Sequence, residues 1–150
     1  MARKLPLYSL LVGVIGVLVA TMMPNVAQAA YNPYTASGVC GSGFRTLESR
    51  AVSNPYGGTD GYLVLMYRSS TNQNCAAYIK NKHAGSYTMT HLTLDLEGDG
   101  RGSVGDYGDF KYYGVARIGG ASGHCVTWSV KANVGDYDQV TATRRHSFCG

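Results

Sequence analysis

The sequence predicts an all-β fold, a small antiparallel β-sandwich or barrel of about seven strands held by two disulfides. Three observations carry that expectation. Past the first 29 residues, no stretch of about 12 residues sets apolar side chains at helical spacing, whereas short runs of strand-forming residues recur. Twenty glycines and four prolines punctuate the 150 residues, a composition that makes turns rather than long helices. Four cysteines, Cys40, Cys75, Cys125 and Cys149, all lie past the leader described next. A mixed fold with one short helix is the second reading of the same pattern.

Residues 1–29 read as a signal peptide, which leaves 30–150 as a single disulfide-stabilised β domain. Arg3 and Lys4 give a positive start, Leu5 to Met23 is almost wholly apolar, and Pro24 breaks any helix there. Ala27-Gln28-Ala29 puts small residues at the two positions a signal peptidase reads, so cleavage is expected after Ala29. An uncleaved membrane anchor is the alternative. Arg3-Lys4 is not a twin arginine and no cysteine follows the apolar run, so neither that export route nor a lipid anchor is expected. No membrane span remains after cleavage.

An even number of cysteines in an exported chain of this size implies two disulfides, and no pair has the close spacing of a zinc site. Of the 13 Lys and Arg, Arg3 and Lys4 leave with the leader, so the domain is only slightly basic against its 9 Asp and Glu. Nucleic-acid binding, which needs a basic stripe, is not expected.

The strands follow in order. Residues 30–43 are loop-like, rich in Pro, Gly, Asn and Ser. Phe44 to Val52 is the first strand, and Asn54-Pro55-Tyr56-Gly57-Gly58 is a turn. Tyr62 to Tyr67 is apolar on both faces, which predicts a central strand covered on both sides. Ser69 to Asn74 is polar loop and Cys75 to Lys80 the third strand. Thr88 to Glu97 alternates strictly: Leu92, Leu94 and Leu96 fall on one face, His91, Thr93, Asp95 and Glu97 on the other. Gly98 to Gly108 is a glycine- and aspartate-rich loop. Phe110 to Ile118 is the fifth strand, followed by a turn at Gly119 to Gly123. V-G-D-Y occurs at 104–107 and at 134–137, too short a match to claim a repeat.

The last two strands form a hairpin turning at 133–137. Cys125 and Cys149 are equidistant from Tyr137, so an antiparallel register centred there opposes them directly, at a distance a disulfide bridges. The same register opposes Val126 to Phe148 and Trp128 to His146, and gives Val140, Ala142 and Phe148 a common parity. We expect Cys125–Cys149, and hence Cys40–Cys75, among the three connectivities that four cysteines allow.

Several stretches resemble the spore-associated protein A family of actinomycetes: Y-N-P-Y-T at 31–35, G-V-C-G-S-G at 38–43, S-S-T-N-Q-N-C at 69–75, G-H-C-V-T-W at 123–128, and C-G at 149–150. They span nearly all of the chain past the leader and contain all four cysteines. The resemblance implies an exported protein found at the spore or aerial-hypha surface, with no assigned catalytic activity. The acidic loop around Asp95 to Asp109 is not a feature associated with that family.

That loop is one candidate site. D-L-E-G-D-G-R-G-S-V-G-D (95–106) sets oxygen-bearing side chains at the first, third, fifth, ninth and twelfth positions and Gly100 at the sixth, the spacing of an EF-hand calcium loop. Asp95, Glu97, Asp99 and Asp106 would be the ligands. Against it stand Glu97 in the third position, Asp106 where a bidentate Glu is usual, and a strand-like flank. The alternative is a solvated strand end and a flexible glycine turn.

Tyrosine is the second candidate. Tyr56, Tyr107, Tyr112, Tyr113 and Tyr137 lie in or beside expected loops, where exposed rings suit stacking on sugars or partner proteins. The alternative is that tyrosines fill strand positions that favour them anyway. Arg144-Arg145-His146 is split between faces by alternation and makes no polyanion patch. His146 is expected as a packed ring beside Trp128.

No catalytic residue is assigned. His83, His91, His124 and His146 are present, but there is no G-x-S-x-G elbow and no H-E-x-x-H, and with both disulfides formed no thiol nucleophile remains. No cofactor is expected. The leading expectation is a secreted, non-enzymatic protein at the spore or cell surface, with cell-wall or spore-surface components as partners. An extracellular glycan-binding module using exposed tyrosines is the second reading. A secreted protease inhibitor, with a reactive segment at 53–60 or 119–124, is the third.

Overall fold

The computed structural model describes residues 31–134 and 139–149. The leader, Tyr137 and Gly150 lie outside the described residues. The fold is all-β, as the sequence predicts, with eight strands in two antiparallel sheets among the described residues. A short helix α1 (Ala36–Cys40) precedes β1 (Arg45–Ser53), β2 (Thr59–Arg68), β3 (Gln73–Lys80), β4 (Thr88–Leu96), β5 (Val104–Phe110), β6 (Tyr113–Gly119), β7 (Val126–Asn133) and β8 (Gln139–Ser147). The first sheet runs β1-β2-β3-β6 and the second β5-β4-β7-β8. The chain changes sheet after β3, β5 and β6. The edge strands β5 and β6 meet at one corner, where the Asp106 carboxylate accepts the Val115 N–H at 2.8 Å.

The core lies between the sheets. Leu63, Leu65, Ala76, Tyr78 and Ile118 face Leu92, Leu94, Leu96, Val126, Trp128 and Val130. The three leucines of β4 point inward together, as their alternation predicts. A second apolar layer explains why β2 is apolar on both faces. Val64, Met66, Cys75 and Ala77 point outward and are roofed by α1, whose Cys40 is bonded to Cys75. Thr35 caps that helix by accepting the Gly38 N–H at 3.1 Å. Arg117 of β6 donates to the carbonyls of Val39 and Cys40 at its other end. This helix falls inside the stretch read as loop; five residues are too few for periodicity to reveal.

The structure changes two further expectations. The glycine-rich stretch 98–108 is only partly loop, because β5 begins at Val104, and the expected strand 110–118 is broken at Lys111 and Tyr112. V-G-D-Y-G-D-F holds poor strand formers, yet its side chains alternate inward and outward without a break. The sheet's geometry overrides the propensity.

Both expected disulfides are present, but the hairpin register is not the expected one. Trp128 pairs with Arg144 rather than His146, and Val126 with Ser147 rather than Phe148. A bulge between Val126 and Trp128 takes up one residue of that two-residue offset, with His146 and Phe148 both at positive φ. The added residue inverts the parity expected for Phe148. Ser147 is buried, donating to the Val126 carbonyl at 3.0 Å, while Phe148 is exposed and tilts against Trp128 at 6.1 Å. The same extra residue brings Cys149 within one position of Cys125's partner, and the disulfide spans the rest.

Candidate functional site

At one end of the first sheet is a cleft of about 310 Å³ lined by Tyr31, Asn32, Tyr34, Tyr62, Ile79, Lys80 and Asn81. Its wall is built by the stretch before α1. The Asn32 amide donates to the Lys80 and Tyr112 carbonyls, both at 2.8 Å, and its oxygen accepts the Tyr34 N–H at 3.0 Å. One side chain therefore fixes this stretch across the ends of β3 and β6. Tyr34 then packs against Tyr112 (centroids 5.4 Å apart) and Tyr113 (4.8 Å), both rings tilted. Tyr62 stands on the outer face of β2, opposite Ile79 of β3, and completes the apolar floor. Tyr31 is 88% exposed, Tyr34 43% and Tyr62 44%, so three rings offer surface to a ligand.

Behind the floor lies a buried polar cluster. Lys80 is 2% exposed, and its ammonium donates to the Ser86 carbonyl (2.7 Å), the Thr88 hydroxyl (2.8 Å) and the Phe110 carbonyl (2.9 Å). Burial pulls Lys80 down to about 8, against the raising influence of Asp60 and Asp109. Tyr78 donates its hydroxyl to the buried Asp60 carboxylate. Burial first, then that hydrogen bond, pushes the phenol far above its ordinary range. His83 approaches the other Asp60 oxygen at 3.4 Å. Gly61 makes room for the Tyr78 ring, since a Cβ there would lie 2.6 Å from it and from the Ile79 carbonyl.

The tyrosines named from sequence are thus divided. Tyr112 and Tyr113 support the cleft. Tyr107 lies on the second sheet, edge-on to His91 at 4.1 Å, in another cleft of about 310 Å³ with Met89, Lys131 and Gln139. Tyr56 is in the β1–β2 turn, where its N–H donates to Asn54, and Tyr137 is outside the described residues. Sequence reading missed Tyr31, Asn32, Tyr34 and Tyr62. The signal was in Y-N-P-Y-T at 31–35, which places two rings, the bridging amide and the helix cap in five residues.

The four carboxylates considered for calcium are spread out. Asp95 lies on β4 opposite Thr127. Glu97 accepts from the Thr127 hydroxyl and from His146, through its N–H at 3.0 Å and its ring Nδ1 at 2.6 Å. The Thr127 hydrogen bond is the main cause holding its carboxyl below the usual range. Asp99 pairs with Arg101 at 2.8 Å, and the Arg101 N–H lowers its carboxyl. Asp106 bridges β5 to β6. Among the described residues, the trio of metal-type ligands brought within 4.8 Å of one another is Cys125, His146 and Cys149, whose sulfurs are joined in the disulfide.

The cleft offers flat aromatic faces, phenol hydroxyls and amides, and its one cation, Lys80, is turned inward. No acid–base pair or nucleophile lines it. Such a surface suits a neutral, hydroxyl-rich ligand that stacks on rings and exchanges hydrogen bonds at its rim.

Over 119 residues, the chain is 33% identical to spore-associated protein A of Streptomyces coelicolor, covering 78% of this chain and 72% of that protein. No family model and no solved structure matches the chain.

Proposed function

The chain belongs to the spore-associated protein A family, and on that premise we propose that it is an exported, non-enzymatic protein of the spore or cell surface that holds surface polysaccharide in its tyrosine cleft. Two disulfides suit a fold that must persist outside the cell, where thiol reductants are scarce. One observation carries the glycan reading: Tyr31, Tyr34 and Tyr62 share one concave surface, with Tyr112 and Tyr113 behind it. Pyranose rings present flat C–H faces that stack on tyrosine at little conformational cost, because a tyrosine has only two side-chain torsions to fix.

Retention on insoluble wall polysaccharide tests this. Each ring contributes about 1 kcal/mol, so Tyr34→Ala with Tyr62→Ala should weaken retention by about thirtyfold. Tyr107→Ala, on the other sheet, should leave retention unchanged. Equal retention of all variants would remove the cleft from the account.

A further inference from the structure

The two disulfides occupy opposite environments. Cys40 is 3% exposed and Cys75 not at all, packed beneath α1 with Val64, Met66 and Ala77. Cys149 is exposed and Cys125 half-buried. Beside this second pair stands a histidine with a fixed orientation. His146 Nε2 lies 3.9 Å from Cys125 Sγ, and His146 Nδ1 lies 2.6 Å from Glu97 Oε2. Glu97 is itself held by the Thr127 hydroxyl and by the His146 N–H. Carboxylate, imidazole and sulfur therefore form a line whose far end is an accessible disulfide.

We propose that Cys125–Cys149 is a thiol-exchange site, at which an external thiol is captured on Cys149 while His146 stabilises the departing Cys125 sulfur. The incoming thiol, deprotonated, attacks Cys149 Sγ. Its sulfur forms a new disulfide with Cys149, the Cys149–Cys125 bond breaks, and the electron pair leaves on Cys125. The proton lost by the incoming thiol is shared between Cys125 and His146 Nε2. One disulfide replaces another, so no oxidant or reductant is consumed. Cys149 is the sulfur attacked because it is open to solvent, whereas the imidazole stands beside Cys125. A leaving sulfur departs faster beside a group that can share its proton, and Glu97, bonded to Nδ1, holds the imidazole so that Nε2 faces Cys125. The positive φ of His146 and the bulge that carries it bring its ring to this place, and bulges are over-represented beside functional sites. The partner would be a thiol-bearing small molecule or surface protein, and its capture would tether the chain covalently.

The test incubates the protein with reduced glutathione at neutral pH and maps adducts by mass spectrometry without further reduction. We expect glutathione on Cys149, a free thiol at Cys125, and Cys40–Cys75 intact. In a second arm His146→Asn, chosen because asparagine accepts positive φ, should slow the exchange by about tenfold. Glu97→Gln should also slow it without moving the adduct. Opening of both disulfides together in the wild-type protein, adducts divided equally between Cys125 and Cys149, or an undiminished rate in His146→Asn would each overturn the proposal.

Discussion

Lys80→Met should destabilise the domain by about 3 kcal/mol and abolish a rise in stability expected of the wild-type protein above neutral pH. Methionine keeps the apolar stem but donates nothing. The Ser86 carbonyl, Thr88 hydroxyl and Phe110 carbonyl then lose their shared donor in a site closed to water. Those groups belong to the 81–87 connection between the sheets, to the start of β4 and to the end of β5, so the loss loosens the corner beneath the tyrosine cleft.

The pH dependence follows from the direction of the shift. Lys80 falls to about 8 in the folded protein, below its unfolded value. Between those values the unfolded chain binds more protons, so raising the pH from about 8 towards 10 stabilises the fold. Tyr78 acts in the opposite sense. Its phenol stays protonated in the folded protein far beyond the unfolded value, so stability is lost as pH passes about 10. Thermal midpoints at pH 7.5, 9.5 and 11 should therefore rise and then fall, and Lys80→Met should lack the rise. A flat profile from 7.5 to 9.5 in the wild-type protein would show that Lys80 keeps its ordinary affinity for protons.

Removing the buried disulfide by Cys40→Ala with Cys75→Ala has the other large expected effect. Its loop spans 35 residues, for which the chain-entropy relation gives about 4 kcal/mol, a large share of the roughly 5–15 kcal/mol that holds a small domain together. The structure adds a local consequence. The roof over Val64 and Met66 is a five-residue helix too short to persist alone, so freeing it exposes the outer face of β2. Loosening would spread to Asn32 and Tyr34, which immediately precede the helix. Urea denaturation should give a midpoint well below wild type, and glycan retention should weaken with it. An unchanged midpoint would mean that α1 is held by packing and Arg117 alone.

Much of this fold was legible in particular residues. The alternation of Leu92, Leu94 and Leu96 implies the inner face of β4, and the double-sided apolarity of Tyr62–Tyr67 implies the covering layer that α1 supplies. The places where reading failed share a cause. β5 and the bulge at His146 are set by contacts with other strands, which local propensity does not encode. The cysteine pairing holds although the expected register was two residues off, because the bulge takes up one residue and the disulfide spans the one that remains.

For the site, Tyr112 and Tyr113 were visible as rings beside an expected loop. Tyr34 reaches them only because Asn32 bridges two strand ends, so the convergence exists in three dimensions and not in spacing. The calcium-loop spacing at 95–106 assumed a continuous loop, but its first residue belongs to β4 and its last to β5. Strand geometry carries the carboxylates apart.

The cleft's role is tested most directly by two-dimensional NMR of the tyrosine ring resonances, titrating soluble wall oligosaccharide into the protein. The account predicts shifts concentrated on Tyr31, Tyr34 and Tyr62, weaker ones on Tyr112 and Tyr113, and none on Tyr107. Shifts confined to Tyr107 and Tyr56, or no shift at millimolar ligand, would contradict it.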